Sequence, residues 1–279
     1  MTQGDIERLR HSYHRSIFEE VLRKGESGAP NNADSASATS VRISNGIIDR
    51  IGFDVSSEGL AGQTAGSRFE SLTRDFLREA FKLLQHIRPG DWVFALGGNI
   101  RDYEQYSHLS EIRNAVRQNK ELRIVFGDYI VTPDITVCRK PVSDEEINRF
   151  GDVLSDDEIA LYTPLRYLNS QVEILHASVS CKWTIRSDRS QNARTEGLNL
   201  IRNRKGKTPH IVVVTGEPLP ARIASLAFGT GDIDCVYHFA LRELIDSATE
   251  SESDTDLLNT LVAGRRLRDI SDLPFDLAT

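Results

Sequence analysis

The 279-residue chain has only three cysteines, two tryptophans and one methionine, and no apolar run in it exceeds about five residues, against the roughly 20 that a membrane-crossing helix needs. The N-terminal segment is polar and carries no apolar signal core, so a soluble, non-exported protein without a membrane partner is expected. Cys138, Cys181 and Cys235 are odd in number, widely spaced and without a Cys-x-x-Cys pair. That usage suits a reducing compartment, the cytoplasm by default, and offers neither a disulfide framework nor a zinc site. His-Glu-x-x-His, Gly-x-Ser-x-Gly and a helix-opening Gly-x-Gly-x-x-Gly are all missing, which removes zincin, nucleophile-elbow and dinucleotide chemistry. Gly206-Lys207-Thr208 imitates the end of a phosphate loop, but Ile201 takes the place of its first glycine and the helix-then-strand order is reversed.

Charge of one sign is also scarce where it would matter for a general polyanion binder. The chain has 34 basic and 41 acidic residues, a net charge of −7. Residues 186–207 reverse that balance. Arg186, Arg189, Arg194, Arg202, Arg204, Lys205 and Lys207 face only Asp188 and Glu196 there, which reads either as a local phosphate-seeking surface or as a solvated amphipathic helix.

Hydrophobic periodicity orders the remainder into a single α/β domain over residues 1–279, with a mixed central β-sheet flanked by helices. Ile6, Leu9, Tyr13, Ile17 and Val21 predict a first helix, closed by Gly25. Residues 25–40 read as a surface loop, in which Asp34 serves turn chemistry or faces a ligand. A second helix follows over 41–51. Phe69, Leu72, Phe76, Ala80, Leu83, Leu84 and Ile87 form the longest amphipathic pattern, stopped by Pro89-Gly90. Glu70 stands three residues after Ser67, so a capping box at a helix start is open to it as well as a site role. A strand over 91–96, a helix with Leu109, Ile112 and Val116, and a β-rich pair over 123–139 come next. Pro133 implies an edge or bulge, which leaves Asp134 at an irregular point where a side chain can be aimed. Two capping boxes, Ser143 to Glu146 and Ser155 to Glu158, account for the acidic residues of 143–160. Residues 175–185 read as a strand with Val179, Trp183 and Ile185 on a buried face and Lys182 on the other. The next helix buries Ala193, Gly197, Leu200 and Ile201 and carries Arg189 and Glu196, seven apart, on a second face. A buried strand at 210–214, a helix opened by Pro218-Leu219-Pro220 and holding Arg222, a last strand at 235–239 and a helix from 241 complete the pattern.

The chemistry-bearing residues left over are Asp134, Lys182 and Glu196. Two carboxylates can hold a hard divalent cation such as Mg²⁺, and a lysine can orient or help deprotonate a water and offset charge growing on a phosphate. Glu196 has Asn192 and Leu200 four residues to either side, so no helical ion pair explains it. Phosphodiester hydrolysis suits this set.

Pro133-Asp134, Ser180-Cys181-Lys182, Arg186-Ser-Asp-Arg189 and Glu196 together resemble the PD-(D/E)xK restriction endonucleases, and more closely the NgoMIV type, which cuts GCCGGC. Phe69-Glu70 and residues 83–92, 176–210, 229–240 and 269–277 share the likeness. The resemblance implies a type II enzyme that uses Mg²⁺ to cut both strands of double-stranded DNA after the first G, leaving 5′ overhangs. It further implies that Asp134 and Glu196 bind the metal with the main-chain carbonyl of Cys181, that Lys182 is the motif lysine, and that Glu70 is a further active-site acid. Ser180 occupies the place where the commoner motif has its second acid. Arg186, Asp188 and Arg189 would enter the major groove, in keeping with arginine pairing guanine and aspartate accepting from cytosine, although Asp188 could equally cap its helix with Gln191 three later. Arg222 and Asp34 match contacts to the outer G·C pair and Gln63 a minor-groove contact, while Ala36 stands where the similar enzyme has serine. A palindromic site calls for a twofold dimer, and the resemblance adds a homotetramer of two dimers. Two other readings remain open on the residues: a DNA-binding protein without catalysis, and a repair nuclease of the same superfamily that recognises structure.

Overall fold

The computed structural model describes residues 3–111, 131–155, 158–229 and 231–279, with the side chains of residues 187–190 outside that description. The predicted helix around Ile112 and Val116, the Gly127-Asp128 turn and Tyr129-Ile130 all fall outside the described residues, as does the centre of the Ser155 to Glu158 capping box.

Three helices come first: α1 (Asp5–Glu20), α2 (Ala38–Ile51) and α3 (Gly62–Leu83). Ser37 caps α2 by accepting from Ser40 N, and Gly52 ends it at φ 79°, a left-handed geometry that glycine adopts without strain. After β1 (Trp92–Leu96), β2 (Ile135–Arg139) and the one-turn α4 (Asp144–Ile147) come β3 (Ile174–Lys182), α5 (Ser187–Asn203), β4 (His210–Thr215) and α6 (Pro220–Ala227). The chain closes with β5 (Cys235–His238), α7 (Leu241–Glu250), α8 (Thr255–Ala263), β6 (Leu267–Asp269) and α9 (Leu273–Asp276). The sheet runs β1 to β6 in sequence order. Its first two pairings are antiparallel and its last three parallel, so it is mixed, as expected.

Helices cover both faces of the sheet, and this corrects the half-exposed strand expected at 175–185. In β3 only Ile174, Ser180 and Lys182 escape full burial, because this central strand, antiparallel to β2 and parallel to β4, is covered on both faces. Val137, Ala177 and Val179 join the main core with Tyr13, Ile17, Phe69, Phe76 and Leu77 of the first and third helices. Cys138, Leu175 and Ile211 join a second cluster with Leu200 of α5 and with Tyr103 and Tyr106. Strand β6, three residues long, carries too little periodicity to be expected from sequence.

The register of β2 on β3 positions the chemistry. Ile135 pairs with Val179 in an antiparallel ladder, which sets Asp134, the residue before β2, beside Ser180 and Cys181 at the end of β3. Asp134 therefore precedes the strand, where the ladder no longer fixes its side chain.

Candidate active site

Asp134 Oδ2 accepts three bonds, from Lys182 Nζ at 2.8 Å, Cys181 N at 2.7 Å and Ser180 Oγ at 3.2 Å. All of its side-chain hydrogen bonds among the described residues go to that oxygen, and Oδ1 takes none. The Ser180 hydroxyl thus turns to Asp134. The two members of the pair keep only 25% (Asp134) and 16% (Lys182) side-chain exposure, so their attraction is weakly screened. Burial works to lower the Lys182 ammonium, yet the Asp134 and Glu196 carboxylates outweigh it and hold Lys182 above the ordinary lysine value. Lys182 is thus a cation at neutral pH, suited to offsetting negative charge and orienting a water.

Two more carboxyls border the pair from different helices. Glu70, inside α3, is raised to about 7 by burial and by Asp134, with Lys182 acting against them. Glu196, inside α5, is raised by burial and Asp134, and Lys182 again opposes the shift. No hydrogen bond joins either glutamate to the pair among the described residues. The helix start settles the alternative role for Glu70. α3 begins at Gly62, so Ser67 and Glu70 lie within it and cannot form its capping box; Ser67 O instead accepts from Ser71 Oγ. Cys181 contributes its N–H to Asp134, while its thiol is wholly buried and pushed well up by that burial.

The DNA-contact candidates come from four separate segments. Arg222 and Asp34 form an ion pair with each other. Asp34 is held below the usual carboxylate value by the Ala36 N–H and by Arg222, with a contribution from Arg186. Asp34 therefore also fulfils its turn role, since Ala36 N donates to its Oδ1 at 3.1 Å. The 25–40 loop is tied to the strand ends by Trp183 Nε1 donating to Asn31 Oδ1 at 3.2 Å and Asn32 Nδ2 donating to Gly216 O at 2.8 Å. Arg186 is the N-cap residue of α5 and is exposed. Asp188 consequently sits in the first turn and not at the cap, and the side chains of Asp188 and Arg189 lie outside the described residues. Gln63 is exposed on the first turn of α3, about 10 Å before Glu70 along the same helix.

The positive stretch 186–207 is not one surface. Arg194 donates to the carbonyls of Ser225 and Phe228 at the end of α6, and Arg204 to that of Ile201. Lys207 lies near His176 at the opposite end of β3, about 20 Å from Lys182 at the usual strand rise. At the N-terminal end of the stretch Arg186 acts on Asp34, and Glu196, midway along α5, is the residue that feels Asp134. Sequence reading also missed Glu217, a fully buried carboxyl beside Arg222.

Known proteins supply the family. The NgoMIV restriction enzyme family model matches residues 13–279. The chain is 50% identical over 278 residues to the type II restriction enzyme NgoMIV of Neisseria gonorrhoeae, covering 96% of this chain and 97% of that protein. Among solved structures, the Bse634I restriction endonuclease is 12% identical with a TM-score of 0.37, over 88% of this chain and 92% of that one. The complex of restriction endonuclease PspGI with substrate DNA is 14% identical with a TM-score of 0.28, over 98% of this chain and 92% of that one. On the family model and the 50% identity over nearly its whole length, the chain belongs to the NgoMIV restriction enzyme family, which makes it a type II restriction endonuclease.

Proposed function

We propose that this single-domain protein cuts both strands of GCCGGC after the first G, using Mg²⁺, and acts in the cytoplasm as a tetramer of two dimers. The observation that carries the reading is the Asp134–Lys182 pair bordered by Glu70 and Glu196. Three carboxyls border one ammonium, so the fully ionised site keeps a negative excess that a divalent cation would offset; burial first, and Asp134 after it, raises both glutamates. Among the described residues no group of three His, Cys, Asp or Glu side chains forms a ready metal cage. Such a set fits Mg²⁺, which takes one or two carboxylates and fills its other positions with waters and substrate phosphate. Asp134 and Glu196 would hold the ion, with the Cys181 carbonyl beside them. When bound, Mg²⁺ supplies Lewis-acid activation of water and of the scissile phosphate. Lys182 orients the attacking water and offsets charge on the phosphate during in-line displacement, which leaves 5′-phosphate and 3′-hydroxyl ends.

Arg186, Asp188, Arg189, Arg222 and Asp34 supply the donors and acceptors that a site of G·C pairs requires, and Gln63 would reach the minor groove. On docking, the Arg222–Asp34 pair would exchange part of its mutual bond for guanine and cytosine edges. A twofold dimer presents this set to each half-site. Assembly of dimers is supported by the segment 150–172, which holds Phe150, Val153, Ile159, Leu161, Tyr162, Tyr167, Leu168 and Val172, eight of the fourteen large apolar side chains exposed among the described residues. Exposed apolar side chains concentrated in one segment suit contact with a second pair of the same chain. No helix among the described residues is long and apolar enough to cross a membrane.

Incubating the protein with plasmid and genomic DNA in Mg²⁺, with a chelator control, and sequencing the ends tests the proposal. Ends at one fixed six-base palindrome support it. Intact DNA, or ends without a common sequence, would remove it.

A further inference from the structure

Glu217 lies where three segments meet, and nothing in the reaction described above uses it. Its side chain is 0% exposed. Oε2 accepts from Ile185 N at 2.8 Å and Oε1 from Leu219 N at 3.1 Å. Ile185 immediately precedes Arg186, the N-cap of α5, and Leu219 is the N-cap of α6, which carries Arg222. One carboxylate thus fixes the entry of both helices. Arg222 Nη1 lies 3.8 Å from Oε2, while Nη2 of the same guanidinium bonds Asp34. The backbone of Glu217 is tied to the catalytic strand as well. Its N–H donates to Thr215 Oγ1 at 3.1 Å, and that hydroxyl donates to Lys182 O at 2.7 Å.

Burying a carboxylate with a single cation at 3.8 Å is costly, and an apolar side chain would fill the space more cheaply. What the carboxylate provides is geometric: two acceptor oxygens for two loop N–H groups that lie outside the strand ladders. We infer that Glu217 is a positioning residue for base reading, setting the approach of Arg186 and Arg222 relative to Lys182 without touching DNA. The inference rests on the proposed reading of those arginines as base contacts.

Glu217→Gln tests it, because the amide NH₂ cannot accept and one of the two N–H groups loses its partner. Cleavage is measured on GCCGGC and on sites altered in one outer base pair. The ratio of kcat/KM between them is expected to fall about tenfold, with KM on GCCGGC rising more than kcat falls. Glu217→Asp, which keeps both acceptors on a shorter arm, is expected to fall between the parent and the glutamine variant. A ratio within about twofold of the parent in a folded Glu217→Gln protein would overturn the inference. So would loss of the folded state in both variants, since that assigns the residue to stability alone. Failure of the parent itself to cut GCCGGC would count against the reading of the site, a result distinct from parental cutting with an unchanged ratio.

Discussion

Gly197→Ala sets two effects of opposite sign against each other. Gly197 follows Glu196 on α5, and a Cβ there would stand 2.4 Å from Asp232 O and 3.3 Å from Ile211 Cγ2. Asp232 is buried and its carbonyl belongs to the backbone leading into β5, so it cannot swing aside. Ordinary contact requires α5 to withdraw by about 1 Å. Alanine favours the helix by about 1 kcal/mol over glycine, while overpacking a close contact costs about 1–3 kcal/mol. The net loss is about 0–2 kcal/mol, a fall in Tm of up to about 6 °C. Catalysis should suffer more than stability, because a displacement of about 1 Å at a catalytic carboxylate can cost about 100-fold. Thermal melts and single-turnover cleavage on the same preparations give both quantities. A Tm raised by about 2–4 °C with cleavage within about threefold of the parent would refute this account of how α5 holds Glu196.

Lys182→Ala is expected to lower cleavage at least about 100-fold while specific binding persists, read from gel shifts beside cleavage assays; unaltered cutting would remove the lysine from the mechanism. Glu70, raised to about 7, binds a proton in the folded metal-free protein that the unfolded chain releases near 4.5. Its contribution to stability is therefore present below about 4.5 and lost as pH rises through about 7, and melts across that range should show Tm declining. Glu70→Gln should flatten that decline in the metal-free protein, and an unchanged slope would contradict the shift. Replacing the fully exposed Phe150 and Tyr162 by serine should convert tetramers to dimers in light scattering, and a mass unaffected by both changes would place the contact elsewhere.

The elements with strong patterns were legible in the sequence. The long apolar stripe from Phe69 named α3, and the unbroken run Ile211–Val214 named β4, because a period of 3.6 and a buried apolar run each survive in one dimension. The N-cap at Ser143 was legible too, with Ser143 Oγ accepting from Glu146 N, while Glu146 Oε1 accepts from Arg149 in place of closing the box. Glu70 was ambiguous for a local reason: a serine three residues upstream imitates a cap, and only the position of Gly62 at the helix start excludes it. Glu217 gave no signal, since a buried carboxylate whose partners are backbone N–H groups 2 and 32 residues away belongs to no motif.

The sequence alone determined which groups the chain can bring to a phosphodiester: an aspartate at an irregular point of a strand run, a lysine on a later strand, two glutamates in helical segments and a cation-rich helix start. Only the tertiary structure decided which of them meet. The antiparallel register of β2 on β3 puts Asp134 against Lys182, and α3 and α5 bring in Glu70 and Glu196. It also divided the positive stretch 186–207 between the two ends of the sheet, because a 17-residue helix is about 25 Å long and cannot keep both of its termini at one site.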